Sequence, residues 1–102
     1  MHYLLIYDLA EDYIDRRPLF RAAHIGRARD AVARGELVLA GACANPPDTA
    51  VLLFRGESAS AAEEFAKSDP YVLNGLVKEW RVREWTTVVG HDAEVPLPPD
   101  LT

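Results

Sequence analysis

The chain has 102 residues, of which 49% are hydrophobic, and its formal net charge is -5 at pH 7. These values predict one globular domain and exclude disorder, while the scattered Lys and Arg residues offer no basic stripe for nucleic acid. No segment approaches the ~20 apolar residues that span a bilayer, so we expect no membrane partner. The first residues have no signal-peptide pattern, and Cys43 is the only cysteine of the sequence. We therefore expect a cytoplasmic protein.

The first part of the chain predicts a strand followed by a long helix. Residues 3–7 are apolar and β-prone, which is typical of a buried strand, and residues 11–15 are polar and predict a loop. The helical pattern begins at about Arg17, with Pro18 in its first turn, and Gly35 is a natural stop after the helix. The predicted buried face of this helix consists of Ile25, Ala28 and Val32.

The middle of the chain predicts a β-hairpin. Residues 36–43 read as a second strand, in which Gly41 marks a bulge or a close approach of the backbone. Residues 45–48 have the Asn, Pro and Asp composition of a turn. Residues 51–55 then read as a third strand, so the two strands are expected to pair.

The last elements are two helical segments and a strand. Ser60 and Glu63 fit a capping box that opens a helix to about Lys67. The Asp69-Pro70 step ends that helix, and Pro70 begins a short one that runs through Asn74 and stops at Gly75. Residues 80–89 predict the final strand. We expect a domain over residues 1–90 and an extended proline-rich tail over residues 91–102.

The resulting order βαββαβ predicts a ferredoxin-like α+β fold, with a four-stranded antiparallel sheet and both helices on one face. The first and third strands are apolar at odd and even positions alike, so the second sheet face also needs a cover. A second copy of the chain, sheet against sheet, would provide it in a homodimer. Trp80 and Trp85 have opposite parity, so at least one should face that interface. The alternative cover is the C-terminal tail.

Two short segments carry the chemistry. His24 lies on the long helix, and Asp69 lies at a helix end from which its carboxylate can turn back toward that histidine. A histidine oriented by a carboxylate is a candidate acid/base pair near neutral pH. The structural alternatives are a hydrogen-bonded helix histidine for His24 and a helix N-cap for Asp69.

These segments also resemble a known family, the YCII-related (YciI-like) domain. The matching residues are Arg21-x-x-His24-Ile25, Gly35-Glu-Leu37, Ala40-Gly41, Ser60, Phe65, Asp69-Pro70-Tyr71, Gly75-Leu76 and Val82-Arg-Glu-Trp85. The resemblance covers about residues 3–89 and implies a dimeric α+β barrel whose active-site cleft holds His24 and Asp69. One branch of the family resembles a dehydrochlorinase acting on a chlorinated hydroxyquinol. The compact 45–48 turn and the proline-rich tail depart from the family pattern, so no substrate is carried over.

Other candidate residues lie near these two. Arg21 precedes His24 by three residues, so it lies on nearly the same helix face and either binds an anionic ligand or pairs with an acid such as Asp15. Tyr71 either lines the same pocket or packs against it. No histidine has ligand spacing to another His, Cys or carboxylate, and no phosphate loop or dinucleotide motif is present, so neither a metal nor a cofactor is expected.

Two functions from different classes fit these residues. The first is a cofactor-independent lyase or isomerase that acts on a small molecule, aromatic ones included, with His24 as general acid/base, Asp69 as its orienting partner, and Arg21 and Tyr71 binding the substrate. The second is a non-catalytic module that binds a small molecule in the same cleft. Proton transfer requires a free imidazole nitrogen that faces the cleft, whereas recognition does not.

Overall fold

The computed structural model describes residues 1–100 and confirms the predicted ferredoxin-like α+β arrangement. The four strands form one antiparallel sheet in the order β2-β3-β1-β4. The elements are β1 (His2–Leu9), α1 (Tyr13–Ala33), β2 (Leu37–Ala42), β3 (Thr49–Arg55), α2 (Ser60–Ser68), α3 (Pro70–Leu73) and β4 (Val77–Trp85). The last two residues of the predicted tail lie outside the described residues.

The core lies between the sheet and the helices. The odd-numbered residues of β1 point to this side, and Leu5 and Tyr7 are fully buried there. The register places Leu52 beside Leu5 and Phe54 beside Tyr3 on the same face. Successive side chains of each apolar strand therefore point alternately into the core and to the opposite face of the sheet.

Helix α1 begins earlier than predicted. It starts at Tyr13, so the predicted 11–15 loop is wrong in its second half and Pro18 lies inside the helix rather than in its first turn. The Tyr13 side chain is buried, and its ring packs edge-to-face on Tyr71 at 5.8 Å between centroids. This tertiary contact extends the helix by a turn that the local sequence does not signal.

The buried face of α1 also differs from the prediction. Ile25 and Ala28 are half-buried, but Val32 is 52% exposed and Ala31 is fully buried in its place. Ala31 lies seven residues after His24, so the inward stripe follows the histidine rather than Ile25. The helix does end as predicted, because Gly35 follows Arg34 with a φ of +79°.

Two local predictions are wrong, one about strand β2 and one about the start of helix α2. The register of β2 shifts between Leu37 and Leu39 rather than at Gly41, where an added Cβ would meet no atom within 4 Å. The N-cap of α2 is Ala59, so Ser60 is inside the helix and no capping box forms. Instead, the Ser60 backbone N–H donates over 3.3 Å to the hydroxyl of Ser58, which lies just before the helix.

Strand β4 starts and ends earlier than predicted. It covers Val77–Trp85 instead of residues 80–89, because Trp85 pairs with His2 and β1 offers no backbone beyond that point. After the strand, the tail folds back on itself: the N–H of Val95 donates to Thr87 and that of Leu97 to Val88. No helix among residues 1–100 is long and apolar enough to cross a membrane.

The face of the sheet opposite the helices, here called the open face, has an apolar patch mainly on β1–β3 and carries the charged residues Arg81 and Arg83 on β4. Its apolar side chains are Leu4, Ile6, Leu39, Val51, Leu53 and Trp85. Trp80 lies on the other face and packs against the core. The tail reaches the end of the open face, where Glu94 Oε1 lies 3.4 Å from His2 Nε2. Leu39 remains 71% exposed, so the tail does not cover this surface.

Candidate functional site

A cleft of about 340 Å³ lies between α1 and the β2–β3 end of the sheet. Its floor is shallow because Ala40, Ala42 and Ala50 occupy the strand positions below α1. Alanine projects only a Cβ from the sheet, which leaves space that larger side chains would fill. His24 and Tyr71 stand at the wall of this cleft.

His24 and Asp69 are in direct contact. His24 Nδ1 lies 2.8 Å from Oδ1 and 3.0 Å from Oδ2 of Asp69. The Asp69 carboxylate is fully buried, whereas the His24 side chain is 13% exposed. Because carboxylate oxygens accept hydrogen bonds, Nδ1 carries the donated proton and the other ring nitrogen, Nε2, is left without one in the neutral imidazole.

Asp69 is held in place by two further donors. The Tyr7 hydroxyl donates to Oδ2 over 2.6 Å, and the Tyr71 backbone N–H donates to Oδ1 over 3.0 Å. The second bond is the N-cap predicted as the structural role of Asp69, and α3 begins there. Capping and orientation of His24 therefore coexist in one carboxylate, because its two oxygens accept several bonds.

Tyr7 is a site residue that sequence reasoning missed. Burial raises its pKa far above the ordinary value of 10.0, and the charge of Asp69 acts in the same direction. The hydroxyl therefore keeps its proton and remains a donor to Asp69. The alternation of side chains along β1 could have indicated that Tyr7 points toward the helices. It could not have indicated which polar group the Tyr7 hydroxyl contacts.

Tyr71 forms the aromatic wall beside the histidine. Its ring stacks on the His24 ring at 3.8 Å between centroids and 8° between planes, and it is only 3% exposed. Burial raises the pKa of Tyr71 to about 12. The predicted pocket residue thus both lines the cleft and packs against the core.

Arg21 also lines the cleft, on the exposed side of α1. It forms no ion pair within residues 1–100, including with Asp15, which was the alternative partner. Arg17, one turn earlier, is a second arginine of the cleft that sequence reasoning missed. Spacing alone could have suggested it, because residues 17, 21 and 24 share one helix stripe.

A larger, more open depression of about 530 Å³ lies elsewhere, between the end of α1 and the start of α2. Its lining contains three arginines and three glutamates, and Arg34 Nε pairs with Glu36 Oε1 at 2.9 Å. The opposite charges that line this depression therefore balance. Within residues 1–100, no group of three or more His, Cys, Asp or Glu side chains is placed to hold a metal ion.

The raised pKa values of Tyr7 and Tyr71 predict a loss of stability in alkali. Both side chains ionise near 10 when unfolded, so above about pH 10 the folded state retains protons that the unfolded state loses, and stability falls as pH rises. Each such group contributes at most about 1.4 kcal/mol per pH unit. We expect Tyr7→Phe to make this fall shallower between about pH 10 and about pH 11 in urea titrations. An unchanged slope would contradict the placement of Tyr7.

Comparisons with known proteins fit this architecture. The structure is similar to 5-chloro-2-hydroxyhydroquinone dehydrochlorinase from Burkholderia phenoliruptrix AC1100 in complex with 2,5-dihydroxybenzoquinone, with a TM-score of 0.71, 19% identity, and coverage of 85% of this chain and 95% of that one. It is also similar to protein Atu4242 from Agrobacterium tumefaciens, with a TM-score of 0.57, 16% identity, and coverage of 93% and 99%. At these identities the likeness shows the fold alone.

Sequence comparison identifies the family more directly. No curated protein matches the chain. The family model of the YCII-related domain, however, matches residues 1–86, which include every element of the sheet and both helices of the cleft wall. The chain belongs to the YCII-related domain family.

Proposed function

We propose that this protein is a cofactor-independent lyase or isomerase that transfers a proton on a small aromatic molecule, with His24 as its general acid/base. The observation that carries the proposal is the His24–Asp69 contact at the wall of the cleft, in which a buried carboxylate occupies one ring nitrogen. That contact leaves Nε2 free to take or give a proton on the opposite edge of the ring.

The proposed reaction needs only one proton acceptor on the protein. His24 Nε2 takes a proton from a carbon or oxygen of the substrate, and the imidazolium that forms is stabilised by Asp69. In a lyase, the electron pair left by the proton forms a new π bond as a leaving group departs with its own pair. In an isomerase, the same proton returns to a different carbon. Neither course changes the oxidation state of the protein.

The lining of the cleft supports an anionic aromatic substrate. The alanine floor offers a flat apolar surface, which suits a ring. Arg21 supplies a positive charge that favours a phenolate, enolate or carboxylate oxygen. The structural neighbour from Burkholderia, in complex with 2,5-dihydroxybenzoquinone, adds support for this class of ligand.

The proposal is tested with 2,5-dihydroxybenzoquinone as a probe in D₂O. A general acid/base in the cleft should deuterate a ring carbon and remove its original proton, so the ring C–H signal disappears faster with catalytic protein than without it. Backbone amide shifts report binding in the same tube. Binding without faster exchange would favour the non-catalytic binding module, and exchange at the background rate with no binding would contradict the proposed ligand class.

We further propose that two chains pair through the open face. Support comes from its exposed apolar side chains Leu39, Val51 and Trp85, and from the cost of solvating them. In this arrangement residues 1–90 form the paired domain and the tail lies at its margin. The cleft is on the opposite side of the sheet, so pairing would not block it.

Pairing predicts a change in mass when the open face is charged. Val51 lies on β3 within this face and is 36% exposed, so Val51→Glu places a carboxylate in the interface at little cost to the monomer. We expect the wild type to sediment as a dimer at about 50 µM and the variant as a monomer. Glu57→Gln, on an exposed loop, is the control. A monomeric wild type would contradict the proposal.

A further inference from the structure

Arg17 has an unusual environment for an arginine near a helix surface. Its Nε atom is buried and has no hydrogen-bond partner among residues 1–100. Its guanidinium carbon lies 5.7 Å from the centroid of the Tyr13 ring, which holds the group over an aromatic face beside the cleft. A buried N–H that lacks an acceptor is unfavourable, so the site is suited to a ligand that brings one.

The charges of the cleft are all of one sign. Arg17 and Arg21 are separated by four residues on α1 and therefore stand one above the other along the same wall. No acidic side chain is among the described residues that line the cleft. Asp69 lies behind His24, with both oxygens occupied by protein donors. The two guanidinium groups are therefore not neutralised by the protein within this cleft.

We propose that Arg17 and Arg21 bind two negatively charged oxygens of one flat ring, so that the cleft selects dianionic over monoanionic aromatic ligands. This inference rests on the proposed function, because it narrows the substrate class of the same cleft. Arg17 would act as the specificity residue, because its planar guanidinium group donates several N–H groups to an ionised oxygen. Tyr13 would keep that group in place.

The test compares two probes of similar shape. 2,5-Dihydroxybenzoquinone carries two ionised oxygens at neutral pH, whereas 2-hydroxy-5-methoxybenzoquinone carries one because the second is methylated. Dissociation constants are measured by calorimetry for the wild type, Arg17→Met and Arg29→Met. Arg29 is exposed on α1 and does not line the cleft, so its substitution matches the change in net charge. Arg17→Gln carries the same prediction if the methionine variant does not fold.

We expect the wild type and Arg29→Met to bind the dianion about tenfold more tightly than the monoanion, and Arg17→Met to bind both equally. A preference that survives in Arg17→Met, or equal binding of both probes by the wild type, would overturn the role of Arg17 and leave the proposed function standing. Failure of the wild type to bind either probe would overturn both.

Discussion

Replacing His24 with Gln should lower the protein-catalysed exchange of ring protons in 2,5-dihydroxybenzoquinone by about 10²–10⁴-fold. Glutamine is of similar length and keeps an amide donor for Asp69, but it has no nitrogen that takes up a proton near neutral pH. The affinity for the probe should change by less than about threefold, because the arginines that bind the anion remain.

His91→Gln is the matched control for this experiment. His91 is in the tail, its side chain is 99% exposed, and it is remote from the residues that line the cleft. We expect it to exchange protons at the wild-type rate. Proton NMR measures the exchange rates of both variants. A His24→Gln variant that keeps full exchange activity would rule out His24 as the general acid/base.

Replacing Asp69 with Ala should lower the free energy of unfolding by about 3–5 kcal/mol. The substitution leaves a tyrosine hydroxyl, an imidazole N–H and a backbone N–H in a buried position with no acceptor. It also removes the N-cap of α3, which adds to the loss. Asp69→Asn should cost less because it retains one acceptor oxygen.

Urea unfolding at a fixed protein concentration measures these changes. Asp92→Ala serves as the control, because Asp92 is exposed in the tail and, among residues 1–100, pairs only with its neighbour His91. It should change stability by less than about 0.5 kcal/mol. If Asp69→Ala were as stable as this control, the network around the carboxylate would not exist in solution.

The two experiments separate the roles of the pair. In the proposed reaction His24 carries the proton, so its loss should remove catalysis while leaving the fold intact. Asp69 holds Tyr7, His24 and α3 together, so its loss should damage the fold as well as the chemistry.

Sequence patterns were sufficient for the fold because its elements are marked locally. Alternation and apolar runs identify the strands, and Gly35 and Asp69-Pro70 mark helix ends at which a left-handed or extended residue is required. Boundaries set by tertiary contacts were not predictable. Tyr13 begins α1 because it packs on Tyr71, and β4 ends at Trp85 because its partner β1 begins at His2.

The candidate site was predictable only in part. His24 and Asp69 stand out because a histidine on a helix and an aspartate before proline are chemically distinctive. Tyr7 and Arg17 look like an ordinary strand tyrosine and an ordinary surface arginine. Their contributions depend on the hydroxyl meeting Asp69 and on the burial of Nε, which are properties of packing across elements distant in sequence.

The most direct test of the account is the protonation of the His24 ring in the wild type. Long-range proton–nitrogen NMR on the neutral imidazole distinguishes a protonated Nδ1 from a protonated Nε2. We predict the proton on Nδ1, directed to Asp69, with an Nε2 resonance that shifts when 2,5-dihydroxybenzoquinone binds. A proton on Nε2, or an Nε2 resonance unaffected by a bound probe, would contradict the claim that His24 faces the cleft as a base.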